Sequence, residues 1–171
     1  MVAVNVSAVE FWRRDFLDGV QTILQETGLG ARHLDLELTE DLLMQDAMSA
    51  ASALRALKGM GVHVVVDHFG TGHSGLNDLR QLPIDVLKID QSFVHEIASD
   101  SNGASFVTAI VDLGKNLNHR VIAAGVETRS QLAFLRAQHC QEGQGYLFGP
   151  PIVGAQFGEQ LRTGLPTSLP H

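Results

Sequence analysis

Leu34-Asp35-Leu36-Glu37-Leu38-Thr39 is the stretch that decides the fold, because its apolar and polar residues alternate one by one. Successive side chains of a β-strand point to opposite faces. The three leucines therefore form a packed face, whereas Asp35, Glu37 and Thr39 face the other side. This pattern predicts a strand that carries acidic groups on one face.

Short β-branched or apolar runs alternate with helical patterns along the rest of the chain, which predicts a parallel sheet. The predicted strands are Val2–Val6, Leu34–Leu38, Val62–Asp67, Val86–Ile89, Val121–Ala124 and a weaker strand near Gly145–Phe148. The predicted helices are Ala8–Glu26, Asp41–Lys58, Ser74–Gln81, Ala104–Leu117, Arg129–Gln138 and Ala155–Leu161.

Repeated strand–helix units are typical of two α/β folds, a doubly wound sheet and a TIM-type (βα) barrel. Polar residues follow several strands at their carboxyl ends, where barrel enzymes place their chemistry, so the sequence favours the barrel. A complete barrel has about eight strands. We therefore expect a barrel that lacks its first two strands.

Composition predicts one domain. The chain has 171 residues, of which 44% are hydrophobic and 18% charged, enough to bury a sizeable core. We expect the domain to occupy residues 1–162. The last segment, residues 163–171, contains two prolines and little periodicity, and we expect a flexible tail.

Charge and cysteine content exclude several classes of function. The net charge is −7 and no run of lysine or arginine occurs, which argues against DNA or RNA as a partner. The single cysteine, Cys140, fits a reducing compartment. Without a signal peptide or a long apolar run, we expect a cytoplasmic domain, although the parent protein could be tethered to a membrane.

Polar side chains from several strands are expected to converge at one rim of the barrel. By the same alternation, Asn5, Glu37 and Asp67 lie on the polar faces of three predicted strands, and Lys88 lies on the polar face of a fourth strand. Carboxylates there require a cation, a lysine or both. Oxygen ligands suit Mg²⁺ or Mn²⁺. The alternative is that these residues are helix caps or solvated rim groups, with Lys88 as an ordinary salt-bridge partner.

Seven segments together resemble the EAL domain family over about Val2–Pro151. They are Val4-Asn5-Val6-Ser7, Glu37-Leu38-Thr39-Glu40, Asp67-His68-Phe69-Gly70-Thr71-Gly72, Leu79-Arg80-Gln81-Leu82-Pro83, Leu87-Lys88-Ile89-Asp90-Gln91-Ser92-Phe93-Val94, Ala124-Gly125-Val126-Glu127-Thr128 and Gln144-Gly145-Tyr146-Leu147-Phe148. The resemblance implies a modified TIM barrel that cleaves one phosphodiester of cyclic di-GMP to give linear pGpG, with Mg²⁺ or Mn²⁺.

The resemblance also implies ligands for metal and substrate. Asn5, Glu37 and Asp67 are similar to the family's metal ligands, with Asp67 at the position that bridges two ions. Asn5 and Asp67 would then also border the substrate, and Gln144 resembles a contact to guanine. Two adjacent ions would activate water and stabilise the attacking and leaving oxygens.

Four further residues receive catalytic roles through the resemblance. Lys88 is similar to the lysine that orients phosphate and water, and Asp90 to its supporting carboxylate. Glu40 resembles the acid that steadies the loop after the third strand. Glu127 resembles the second glutamate of the family's glutamate-glycine-valine-glutamate motif.

Three departures from the family pattern predict weak or absent hydrolysis. The family's glutamate-alanine-leucine strand, expected before Asn5, does not occur, and its glutamate is a metal ligand. His68 replaces the second aspartate of a doubled pair, and Ala124 replaces a glutamate. Alanine can neither bind a metal nor accept a proton. His68 could instead capture a softer ion such as Zn²⁺, together with His73; the alternative is a loop histidine without a ligand.

We therefore expect an EAL-type cyclic di-GMP signalling domain with impaired catalysis that acts as a nucleotide-sensing or regulatory module. One alternative is an active metal-dependent phosphodiesterase. Another is a protein-binding module that no longer binds nucleotide. The expected partners are cyclic di-GMP, a second copy of the chain in a homodimer, and a sensor or GGDEF domain in the parent protein.

Overall fold

The protein is described by a computed structural model that covers residues 1–72, 81–97 and 101–163. Its strands are β1 (Val2–Asn5), β2 (Leu34–Thr39), β3 (His63–Phe69), β4 (Val86–Ile89), β5 (Arg120–Ala124) and β6 (Glu142–Gln144). Its helices are α1 (Ala8–Phe11), α2 (Phe16–Thr27), α3 (Glu40–Gln45), α4 (Ala47–Met60), α5 (Gln91–Glu96), α6 (Ser101–Leu117), α7 (Arg129–Ala137) and α8 (Gly154–Thr163), with a 3-10 turn at Ala31–His33.

The strands form one parallel sheet in the order β1-β2-β3-β4-β5-β6, which confirms the predicted α/β fold. The sheet is curled, because Arg120 Nη1 of β5 lies 3.8 Å from Asp35 Oδ2 of β2 although two strands separate them. The result is half of a TIM-type barrel. Within the described residues, β1 and β6 form the two edges of the sheet.

The register of the strands brings their carboxyl ends to one rim. Asn5 pairs with Glu37, and Thr39 pairs with Asp67. Near the opposite edge of the sheet, Ala124 of β5 pairs with Gln144 of β6. Polar residues far apart in the sequence therefore share one end of the half-barrel.

The hydrophobic core lies between the convex face of the sheet and the helices. As the alternation predicts, the three leucines of β2 are buried in it, together with Leu54 and Leu57 of α4. Val107, Ile110 and Val111 of α6 are buried against the same core. Phe106, which directly precedes Val107 on α6, is partly exposed and packs on Phe93, with ring centroids 4.4 Å apart.

Several element boundaries differ from the prediction. The last strand comprises Glu142–Gln144, not the neighbourhood of Gly145–Phe148, which forms a turn. The predicted helix Ala8–Glu26 is interrupted after Phe11, and Asp41–Lys58 is divided where Asp46 caps α4 through the backbone N–H of Ser49. The short helix α5 was not predicted.

Two predictions fall outside the described residues in whole or in large part. The helix predicted at Ser74–Gln81 has only Gln81 within them. The predicted tail, residues 163–171, has only Thr163 within them, and there it ends α8. In the part of the chain that the structure describes, no helix combines the length and the apolar character needed to cross a membrane.

A polar cluster joins four strands at the opposite, amino-terminal rim. Arg120 donates to both carboxylate oxygens of Glu142 at 2.8 and 2.6 Å. Asp35, almost fully buried, lies 3.2 Å from His63 Nδ1. These contacts tie β2, β3, β5 and β6 together at the end of the half-barrel where such folds concentrate stability and not chemistry.

Candidate functional site

A buried ion pair forms the centre of the carboxyl-terminal rim. Lys88 Nζ donates to Glu37 Oε2 at 2.7 Å, and both side chains are at least nine-tenths buried. Lys88 Nζ also lies 3.6 Å from Asp67 Oδ2, a separation too long for a hydrogen bond. The alternating faces of β2, β3 and β4 thus bring Glu37, Asp67 and Lys88 together, as the sequence predicts.

His68 stands directly beside this pair, in a left-handed backbone conformation with φ of 55°. Its Nδ1 lies 2.6 Å from Asp90 Oδ2, and its Nε2 lies 3.7 Å from Asp67 Oδ2. Asp90 Oδ1 in turn accepts hydrogen bonds from the backbone N–H and the hydroxyl of Ser92. A carboxylate can only accept, so Nδ1 carries a ring hydrogen, and in the neutral imidazole Nε2 keeps its lone pair.

The contacts of His68 and Asp90 shift the pKa of both groups. The hydrogen bond to Asp90 raises the pKa of His68, and the Asp67 carboxylate acts in the same direction. Burial by itself would raise the pKa of Asp90, but hydrogen bonds from Ser92 and His68 outweigh it and the pKa is lowered. Asp90 is therefore ionised at neutral pH and serves as an anchor for the imidazole.

Glu40 holds the loop that follows β3. Its carboxylate is buried at the start of α3, and its Oε2 accepts a hydrogen bond from the backbone N–H of Gly70 at 2.9 Å. A Cβ placed on Gly72 would lie 3.0 Å from Glu40 Cδ. The described part of the loop is thus fitted to this carboxylate, the position to which the resemblance assigns a loop-steadying acid.

The segment after β5 is positioned by tight packing and by a helix cap. Gly125 adopts φ of 76°, and a Cβ there would lie 2.5 Å from Gln91 Cβ. Gln131 Oε1 accepts from the backbone N–H groups of Glu127 and Thr128 at 2.8 and 2.9 Å. Glu127 Oε1, half exposed, lies 3.6 Å from His95 Nε2.

An open cavity of about 1000 Å³ extends from these residues along the rim. Asp67, His68, Lys88 and Ala124, from β3, β4 and β5, line it at the rim and are called its floor here, and Gln144, at the end of β6, lines it as well. Six further lining side chains are apolar or aromatic and mostly exposed: Tyr146, Phe148, Pro150, Pro151, Ile152 and Phe157. Four more are polar: Asp90, Gln91, Glu127 and Gln160. The cavity thus combines one ammonium group, buried carboxylates and flat apolar faces.

The predicted site residues occupy different positions relative to this cavity. Seven of the eight lie on the rim, in its wall or beneath the adjoining loop: Glu37, Glu40, Asp67, Lys88, Asp90, Glu127 and Gln144. The eighth, Asn5, ends the exposed edge strand β1 at the same rim, where it pairs with Glu37. Lys88 contacts Glu37, whereas Asp90 contacts His68 and Ser92. His73 lies outside the described residues.

Sequence reasoning missed the residues that support the site. Gln131 could have been found, because Thr128 and Gln131 have the spacing of a capping box, which the structure contains. The His68–Asp90 contact left no local signal, since 22 residues separate the partners. Phe157 lies on α8, beyond every motif that the sequence displays.

The residues at the rim fit a divalent cation in charge and in chemistry. Glu37, Asp67 and Asp90 are at most 9% exposed, and one ammonium, Lys88, faces them. Among the described residues, no hydrogen-bond donor reaches Asp67 Oδ2, which lies 3.6 Å from Lys88 Nζ and 3.7 Å from His68 Nε2. Within residues 1–72, 81–97 and 101–163, no three histidine, cysteine, aspartate or glutamate side chains form a metal site by themselves. Further ligands would have to be water or amide oxygens.

Comparison with known proteins identifies the family. The model of the EAL domain matches residues 1–151 of the chain. The cyclic di-GMP phosphodiesterase NbdA of Pseudomonas aeruginosa is 43% identical over 94% of the chain. The bifunctional diguanylate cyclase/cyclic di-GMP phosphodiesterase MucR of the same organism is 43% identical over 91%. The chain spans only 21% and 23% of the lengths of these two relatives.

Solved structures agree with the sequence comparison. A complex of the MucR phosphodiesterase with c-di-GMP superposes with a TM-score of 0.88 at 43% identity, over 91% of this chain and 63% of that one. A manganese and cyclic di-GMP complex of BlrP1 from Klebsiella pneumoniae superposes with a TM-score of 0.80 at 27% identity, over 87% of this chain and 38% of that one.

Proposed function

Because the chain belongs to the EAL domain family, we propose that it binds cyclic di-GMP in the rim cavity and hydrolyses it slowly or not at all. It acts as a nucleotide-sensing or regulatory module of a longer signalling protein. Two relatives are named for cyclic di-GMP phosphodiesterase activity, and MucR for diguanylate cyclase activity as well. A partner GGDEF or other sensor domain in the parent protein is part of this proposal.

The observation that carries the proposal is the cavity that joins Lys88 to Gln144. A cyclic dinucleotide presents phosphate oxygens and two flat purines. Lys88 provides a cation for a phosphate oxygen, and Gln144 provides an amide that can pair with a guanine edge. Tyr146 and Phe148 offer exposed aromatic faces beside it, and bases stack well on such faces. The overall charge of −7 makes these local groups decisive.

Slow hydrolysis follows from the composition of the cavity floor. Hydrolysis to pGpG requires a water oxygen to attack phosphorus while the bond to the leaving ribose oxygen breaks and a proton reaches that oxygen. A bound divalent ion would lower the pKa of the water and offset charge on phosphate. Asn5, Glu37 and Asp67 would hold it. Ala124 lines the floor without offering a ligand or a base.

The remaining rim residues have positioning roles in this proposal. Lys88 orients the phosphate, Asp90 fixes the neighbouring imidazole, and Glu40 steadies the loop after β3. Glu127 lines the cavity beside Ala124 and is half exposed, so it can contact a bound nucleotide. The rival proposal, a fully active phosphodiesterase, is favoured by the names of the relatives.

Titration of the chain with cyclic di-GMP by isothermal calorimetry tests the binding proposal. We expect saturable binding of one molecule per cavity. Gln144→Ala should weaken it about tenfold, the loss of about 1.4 kcal/mol. Gln25→Ala, on the exposed surface of α2, is the matched control and should bind like the wild type. Absence of binding would leave the protein-binding alternative.

Product analysis separates the sensing module from the active enzyme. With saturating Mg²⁺ or Mn²⁺, we expect pGpG formation well below about 1 s⁻¹, a typical lower value for enzymes. The double variant Ala124→Glu, His68→Asp adds two carboxylates to the floor, but it should be faster only when a glutamate-alanine-leucine strand is supplied upstream as well, because that strand contributes a further metal ligand. Turnover by the wild-type chain at about 1 s⁻¹ or faster would establish the rival proposal.

A further inference from the structure

His68 has the geometry of a metal ligand whose orientation is fixed from behind. Its Nδ1–H is held by Asp90 at 2.6 Å, and Asp90 is itself held by two hydrogen bonds from Ser92. Metal-binding histidines usually donate their second ring hydrogen to a carboxylate in this way, which fixes the tautomer and makes the free nitrogen more basic. The free nitrogen here is Nε2, and His68 lines the cavity.

The partner for such a ligand is Asp67. Its Oδ1 accepts from the backbone N–H of His68 at 2.9 Å, whereas Oδ2 lies 3.7 Å from His68 Nε2. Asp67 is only 8% exposed, and no donor among the described residues bonds Oδ2. Because Asp67 lines the open cavity, Oδ2 is accessible from it to water or to a cation.

The distance between the two atoms suits a shared ion. Zn²⁺ binds imidazole nitrogen and carboxylate oxygen at about 2.0–2.2 Å. Two ligands of one ion are therefore less than about 4.4 Å apart, and 3.7 Å lies within that limit. Mg²⁺, in contrast, takes oxygen ligands almost exclusively.

We propose that His68 Nε2 and Asp67 Oδ2 are two ligands of a transition-metal ion such as Mn²⁺, Co²⁺ or Zn²⁺, and that this domain selects such ions over Mg²⁺. The other positions are left to Asn5 and Glu37, the remaining ligands of the proposed function, and to water. The inference shares the cavity of the proposed function but does not depend on nucleotide binding. It assigns His68 a role that a second carboxylate could not perform, since only nitrogen confers this selectivity.

Pulsed electron paramagnetic resonance of the full chain with Mn²⁺ alone tests the nitrogen ligand directly. We expect modulation from one directly bound ¹⁴N nucleus. His68→Asn should abolish it, and asparagine tolerates the left-handed backbone at this position, so circular dichroism should be unchanged. His33→Asn, an exposed histidine before β2, is the matched control and should retain the signal.

Affinity measurements with Co²⁺ and Mg²⁺ test the selectivity. His68→Asn should weaken Co²⁺ binding at least tenfold, because loss even of an outer-shell partner costs that much, while Mg²⁺ binding changes less than about threefold. His68→Asp should shift preference toward Mg²⁺. Mn²⁺ binding without ¹⁴N modulation, no metal binding, or equal Co²⁺ affinities in wild type and His68→Asn would each overturn the inference. These metal-binding experiments contain no cyclic di-GMP. Their outcomes therefore do not affect the proposal that the cavity binds the nucleotide, which the calorimetric titration tests separately.

Discussion

Two oppositely charged side chains at the rim, Lys88 and Glu37, are largely buried. The Lys88 and Glu37 side chains are 10% and 7% exposed and 2.7 Å apart. Removing two charges from water costs several kcal/mol for each ion, and their attraction only roughly repays it. The pair therefore stabilises the fold little in itself, but either charge left alone would be strongly destabilising. This makes the pair a sensitive probe of the site.

Lys88→Met should lower the free energy of unfolding by about 3–5 kcal/mol, since it leaves Glu37 buried and unpaired. The double variant Lys88→Met, Glu37→Gln should recover a large part of that loss. Urea denaturation at neutral pH measures both. Lys115→Met is the matched control, because Lys115 forms an exposed pair with Asp112 at 3.2 Å and should change stability by less than about 1 kcal/mol. Equal losses in the single and double variants would contradict the buried-pair account.

The sequence predicted the central pair but not its neighbour. Alternation along β2 and β4 was enough to put Glu37 and Lys88 on the same side of the sheet. The His68–Asp90 contact, by contrast, depends on a left-handed turn at His68, which aims an imidazole across two strand ends. Hydrophobic periodicity does not predict the backbone conformation of a single residue such as His68.

At the scale of elements, strands were predictable where β-branched residues mark them. β4 matches its predicted bounds, and the other strands of β1–β5 differ from theirs by one or two residues at an end. β6 consists of Glu142-Gly143-Gln144, residues with little preference for strands, and it forms because β5 supplies its hydrogen bonds. α5 has six residues and is set by the Asp90 cap, so it is too short for a helical period to appear.

The amino-terminal rim depends on an ion pair between two strands. Hydrogen bonds from Arg120 lower the pKa of Glu142. A carboxylate whose pKa is lower in the folded state than its ordinary value of about 4.3 stabilises the fold above that value. The contribution is lost as pH falls through the folded pKa. Both side chains are more than a third exposed, so the effect is modest.

We expect the free energy of unfolding to fall as the pH is lowered below about 4.5, and Glu142→Gln to have a shallower slope in that acidic range than the wild type. Glutamine lacks the charge that protonation removes. Urea denaturation across this range measures the slopes. Glu26→Gln, an exposed change near the end of α2, should retain the wild-type slope; equal slopes for Glu142→Gln and wild type would show that the Arg120 pair is not the cause.

At the scale of the whole molecule, the half-barrel places its chemistry on one rim and leaves an open edge. All four residues of β1 are exposed, including Val2 and Val4, at 51% and 43%. Only one side of β1 has a strand partner among the described residues. An edge with unpaired backbone groups and apolar side chains is a template for pairing with another chain.

The last prediction is that this chain self-associates through the β1 edge. Higher protein concentration favours the dimer, and association of the folded chains stabilises them, so the melting temperature should rise with protein concentration. Light scattering and thermal melting across a hundredfold dilution series measure mass and stability together. Val4→Lys places a charge on the edge and should shift the chain toward monomer, whereas Val9→Lys, on exposed α1, should not. A monomer with a concentration-independent melting temperature would mean that β1 remains stable without a partner, because a twisted and short edge strand resists pairing.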